Sequence, residues 1–217
     1  MIKYIPEDYV NRKNSRFTFH FNSAEPAGTA ESMEGCICRS LDVFKNWLGS
    51  DLATDMHFCM FHCLEDSRPV FPALQSATEL CVPFMAGGQA LVTFFSPAAH
   101  KLNGDAERMQ RHFIHELVHV FISELAGSCK CLGAGEKVNY PVGEGLEEGI
   151  AELVSLYLAG RHDQLEKCRD FYQSGSRSEM KSGEAGFYSW WTGKASVLTG
   201  DVCGENVEAV LKKALSS

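Results

Sequence analysis

In the stretch HFIHELVHVF, residues 112 to 121, His115 and His119 flank Glu116 inside an otherwise apolar run. The spacing is H-E-x-x-H. On a helix, residues four apart lie on one face one turn apart, so the two imidazoles can converge on a single ion. Glu116 lies about 100 degrees round the axis from His115, beside that ion rather than beneath it. Metal-assisted hydrolysis needs this set: two neutral nitrogens to hold zinc, and a carboxylate next to an open position to take a proton from bound water. So short a motif also arises by chance, and a core helix that happens to carry two histidines is the competing reading. Ile114, Leu117, Val118, Phe121 and Leu125 form a stripe at helical spacing, which assigns one face to the core under either reading.

A third ligand must come from another element. GEGLEEGIAELVSLYLAG, residues 143 to 160, reads as an amphipathic helix with Leu146, Ile150, Leu153, Val154 and Tyr157 inward. Glutamates near a helix N-terminus complement its dipole, which accounts for Glu144 and Glu147 without a site. Glu148 is followed by Gly149 and Ala151, small residues expected to let this helix lie close against the histidine helix and bring a carboxylate to the ion. Glu152, one turn on, is positioned to accept a hydrogen bond from His115 and fix its tautomer.

HELVH followed by LEEGIAE resembles the gluzincin metallopeptidases, and the order of elements is most like their compact peptidase MA-like domains. The resemblance runs from about Phe17 to the C-terminus, although only the two motifs are specific. It implies zinc held by His115, His119 and Glu148, Glu116 as general base, and a zincin-like fold in which a small mixed sheet packs on the active-site helix. It also implies that a strand just before that helix, here QALVTFFS (89 to 96), forms the sheet edge and pairs with an extended peptide or protein substrate. Zincins with a third histidine are excluded by placement, because the only histidine after His119 is His162. The sequence departs from the aminopeptidase branch twice. FMAGGQALVTF has Gln89 and no acid where that branch anchors the substrate amine. In GFYSWWTGKASVL, Trp191 falls where its oxyanion-stabilising Tyr is expected, leaving Tyr188 as the candidate, with Arg161 and His162 as alternatives.

The elements that must hold these residues are legible as patterns. RFTFHFN (16 to 22) alternates Phe17, Phe19 and Phe21 with polar neighbours, the period of a half-buried strand. TAESMEGCICRSLDVFKNWLG (29 to 49) has Met33, Ile37, Leu41, Phe44 and Leu48 at helical spacing and stops at Gly49. MHFCMFHCL (56 to 64) and QALVTFFS are two further strands. From about Asn103 the pattern turns helical. Strands over about 16 to 97 followed by helices over about 103 to 217 predict an α+β domain, a single one for 217 residues. The loop GSCKCLGAGEKVNYPVG (127 to 143) is either a lid over the cleft or a plain connection.

Composition limits the functions available. With a net charge of -8, the chain is not expected to bind nucleic acid, whose affinity comes largely from Lys and Arg replacing counterions. No apolar run approaches the roughly 18 to 20 residues that span a bilayer, and the first residues show no signal-peptide core. The nine cysteines include no C-x-x-C pair, so reduced, buried thiols in a cytoplasmic protein are expected. The expected function is therefore a zinc-dependent peptidase. A zincin-fold module that binds without turnover, and a protease dedicated to one protein partner, are the alternatives.

Overall fold

The computed structural model describes residues 5–71, 82–86, 88–100, 105–127, 140–175 and 179–216. Five strands form one sheet: β1 (Val10–Lys13), β2 (Phe17–Phe21), β3 (Asp55–Phe61), β4 (Val82–Ala86) and β5 (Gln89–Phe95), in the order β1-β2-β3-β5-β4. Helix α1 (Thr29–Leu48) connects β2 to its parallel neighbour β3, and β5 is parallel to β3. The outer strands β1 and β4 run antiparallel to β2 and β5. After a short α2 (Pro97–His100) come α3 (Ala106–Ala126), α4 (Glu144–Leu158), α5 (His162–Gln173), α6 (Phe187–Thr199) and α7 (Gly204–Leu215). The class is α+β, with a mostly helical C-terminal half.

Period-two alternation decides what the sheet buries. Phe17, Phe19, Phe21, Met56, Phe58, Met60, Ala90, Val92 and Phe94 share a core with Ile37 and Phe44 of α1 and with Phe113 and Leu117 of α3. Phe113 is the key of that packing, edge-on to Phe94 at 4.9 Å and to Phe58 at 5.8 Å. Residues two apart on a helix point about 160 degrees apart. Seating Phe113 and Leu117 on the sheet therefore turns His115 and His119 to the opposite side, towards α4. The other sheet face carries a smaller cluster of Tyr9, Cys59, Phe61, Val70, Leu91 and Phe95. β2 is buried on both faces rather than half-buried, since Thr18 and His20 are buried too and the His20 Nε2 lies 2.9 Å from His57 Nδ1.

Two expectations need correction. Residues 89 to 96 are not the sheet edge: β5 lies between β3 and β4, and the outermost strand next to α3 is β4. The run ALVTFF buries Leu91 and Phe95 on one face and Val92 and Phe94 on the other, the pattern of an interior strand. Nor does Gly149 bring α4 against the histidine helix. A Cβ there would sit 2.5 Å from the backbone oxygen of Trp191, so the missing side chain lets α6 approach α4 instead. Cys36 and Cys59 are fully buried free thiols, and Cys38, Cys63, Cys168 and Cys203 are free as well. Cys81, Cys129, Cys131 and most of the 127 to 143 loop lie outside the described residues.

Candidate metal centre

Helix α3 starts at Asp105, whose side chain accepts from the Arg108 amide at 3.0 Å, and it is buried on most of its circumference. α4 crosses its polar side and presents three glutamates to it. The Nε2 atoms of His115 and His119 are 3.2 Å apart. Glu148 Oε2 is 3.3 Å from the His115 Nε2, and Glu148 Oε1 is 3.6 Å from the His119 Nε2. Donors at about 2.0–2.1 Å from a tetrahedral zinc are separated by about 3.3 Å. The imidazole separation is close to that edge, and one oxygen of Glu148 approaches each ring, so the three residues gather donor atoms within 4.8 Å of one another and fit a zinc-sized cation.

The opposite ring nitrogens explain why the Nε2 atoms face inward. His115 Nδ1 lies 3.4 Å from Glu152 Oε2, and Arg111 Nη1 donates to the other oxygen of Glu152 at 2.6 Å. His119 Nδ1 lies 3.0 Å from Glu147 Oε1. With Nδ1–H donating to a carboxylate, each imidazole directs its Nε2 at the centre, where a cation would take the place of any proton on that nitrogen. Glu147 is thus part of the site, contrary to its assignment to the helix dipole. It is 4% exposed, and its second oxygen has no hydrogen-bond partner among the described residues.

The electrostatics are those of a buried, acid-rich cluster. Burial opposes charge on His115, but hydrogen bonds to Glu148 and Glu152 outweigh it and raise its pKa to about 10. Burial likewise works against an ionised Glu152, yet His115 and Arg111 hold it down at about 2. Glu148 is lowered in spite of burial by His115, His119 and a hydrogen bond from Tyr140. Glu116 behaves differently: burial pushes it up to about 7, against the pull of His115 and His119. Burial thus sets Glu116 apart from Glu148 and Glu152, whose carboxyls are held low by their cationic neighbours.

The structure brings His115, Glu116, His119, Glu148 and Glu152 together. Tyr188, in the first turn of α6, is 54% exposed. Its pKa is raised by burial and then by the charges of Glu148, Glu152 and Glu116, and its hydroxyl has no hydrogen-bond partner among the described residues. Arg161 pairs with Glu107 at 3.6 Å and His162 packs on Tyr157 with ring centres 5.6 Å apart. Tyr140, which the sequence reading passed over, lies with its ring centre 6.4 Å from that of His119. Its position in an irregular segment offers no periodicity to reveal it. Neither family models nor curated proteins yield a match to this chain, so the centre stands on its own geometry.

Proposed function

We propose that the protein is a zinc-dependent peptidase of gluzincin type, with a zincin-like arrangement of sheet, histidine helix and glutamate helix. The observation that carries this reading is the triangle of His115, His119 and Glu148 donors with the buried carboxyl of Glu116 beside it. A zinc ion held there would supply Lewis acidity, activating water and polarising a carbonyl. His115 and His119 hold their Nε2 atoms at the centre, and Glu147 and Glu152 fix the ring orientations from behind. Glu116 takes a proton from the attacking water and returns it to the leaving amine. Tyr188, half-exposed in the first turn of α6, is the residue whose hydroxyl would donate to the oxygen on which negative charge develops. The outer edge of β4, rather than β5, is where an extended substrate would add as a further strand.

The test is Glu116→Gln, which keeps shape and burial but removes the proton acceptor. Cleavage of unfolded protein or a peptide library should fall by about 10²- to 10⁴-fold, the usual contribution of general acid-base catalysis, while zinc content stays unchanged. Cleavage that survives the substitution removes Glu116 from the mechanism. Wild-type protein that holds zinc and cuts nothing across a broad library supports a binding module or a protease with one dedicated partner.

A further inference from the structure

Arg111, His115 and His119 are spaced four apart on α3 and so lie along one face, one turn after another. Glu148 and Glu152 do the same on α4. The two rows meet in opposite order. Arg111 Nη1 donates to Glu152 Oε1 at 2.6 Å, His115 Nδ1 lies 3.4 Å from Glu152 Oε2, and His115 Nε2 lies 3.3 Å from Glu148 Oε2. Glu152 is thus held between a guanidinium on one oxygen and an imidazole of the triad on the other. The Arg111 and Glu152 side chains are only 27% and 22% exposed, so water screens this pair less than a pair on the open surface.

The helix backbone alone does not fix where the oxygens of a long glutamate side chain lie. Ser155 Oγ reaches Glu152 Oε2 only at 3.5 Å and makes its shorter bond, 3.0 Å, to the Glu152 backbone carbonyl. The firm anchor of the carboxylate is therefore Arg111. A guanidinium offers five donors, has no acceptor and does not lose its charge. Glu152 Oε1 is committed to that bond as the acceptor, and Oε2 is left facing the imidazole. We propose that Arg111 is a positioning residue of the metal centre, which acts through Glu152 to fix the ring of His115 with its Nε2 towards the ion. The inference rests on the triad being a zinc site.

Arg111→Met keeps the length of the side chain and removes its donors. Chelator competition on the full chain should show zinc affinity reduced by about tenfold, the lower end of what the partners of a metal ligand contribute. In a Glu152→Ala background the same substitution should lower affinity no further, because the route to His115 is already cut, and residues in one bonded network are non-additive in this way. Arg111→Lys keeps a cation that reaches one oxygen. It should lose less than Arg111→Met, and that smaller loss should also vanish beside Glu152→Ala, which keeps the test decisive if Arg111→Met proves unstable without metal. Undiminished affinity in the Arg111 variants, or the same loss with and without Glu152, would overturn the role of Arg111 while leaving the triad intact. A wild-type protein that binds neither zinc nor cobalt(II) would overturn both.

Discussion

Each ring nitrogen that points away from the centre meets a carboxylate, Glu152 behind His115 and Glu147 behind His119. Removing either leaves a ligand free to rotate or to change tautomer. Glu147→Ala and Glu152→Ala should each weaken zinc by roughly 10- to 100-fold, and Glu148→Ala, which deletes a ligand, should weaken it further. Chelator competition on the three variants checks the order, and a Glu147→Ala protein with wild-type affinity would remove that residue from the site. At this scale the sequence reveals what spacing can reveal. H-E-x-x-H fixes two imidazoles on one helix face, and Glu148 and Glu152, four apart, share a face of the next helix. Glu147 was hidden because a glutamate in a first helical turn has an ordinary electrostatic explanation. Only the crossing of α4 over α3, a tertiary fact, shows that its side chain turns inward.

The elements hold the site by close approach. Gly149 sits in the turn that carries Glu148 and Glu152, and α6 lies so near that an added Cβ would meet Trp191 backbone atoms at 2.5 and 2.6 Å. Alanine in a helix interior normally stabilises by about 1 kcal/mol over glycine. Here the sign should reverse, because backbone cannot move aside as a flexible side chain can. Overpacking of this kind costs about 1–3 kcal/mol, which for a chain of this size lowers the melting temperature by about 2 to 12 °C. Thermal unfolding of Gly149→Ala measures it, and a rise in melting temperature would show that α4 and α6 are not packed so tightly. β2, β3, β5, α1 and α4 were legible from periodicity, close to their observed limits, whereas α5 and α7 were covered only by the general turn to helix after about Asn103. β1 was not, since VNRK is exposed throughout and has no alternation. β4 contains Pro83, a residue that weakens a strand pattern and is tolerated at a sheet edge. The place of β5 inside the sheet follows from β4 pairing beside it, and strand order is not a local property of sequence.

For the whole molecule, the sheet introduces a pH dependence separate from the metal centre. Burial, and then the facing His57, hold His20 down at about 4, against the ordinary 6.5. The native state therefore binds fewer protons than the unfolded chain between those values. Its stability is complete above about pH 6.5 and declines as pH falls towards 4. In metal-free protein, wild type should lose more melting temperature than His20→Gln between pH 7.5 and 5; equal losses would show that His20 does not remain neutral in the fold. Among the described residues, no helix is long and apolar enough to cross a membrane. What the arrangement of α3 against α4 builds is a single acid-rich centre of His115, His119 and Glu148. Native mass spectrometry of the purified chain, supplied with zinc and then freed of loose metal, tests that centre most directly. The account predicts about one zinc per chain, lost when His115, His119 or Glu148 is replaced by alanine. A wild-type chain that retains no zinc, or a Glu148→Ala chain that retains it as tightly as wild type, would contradict it.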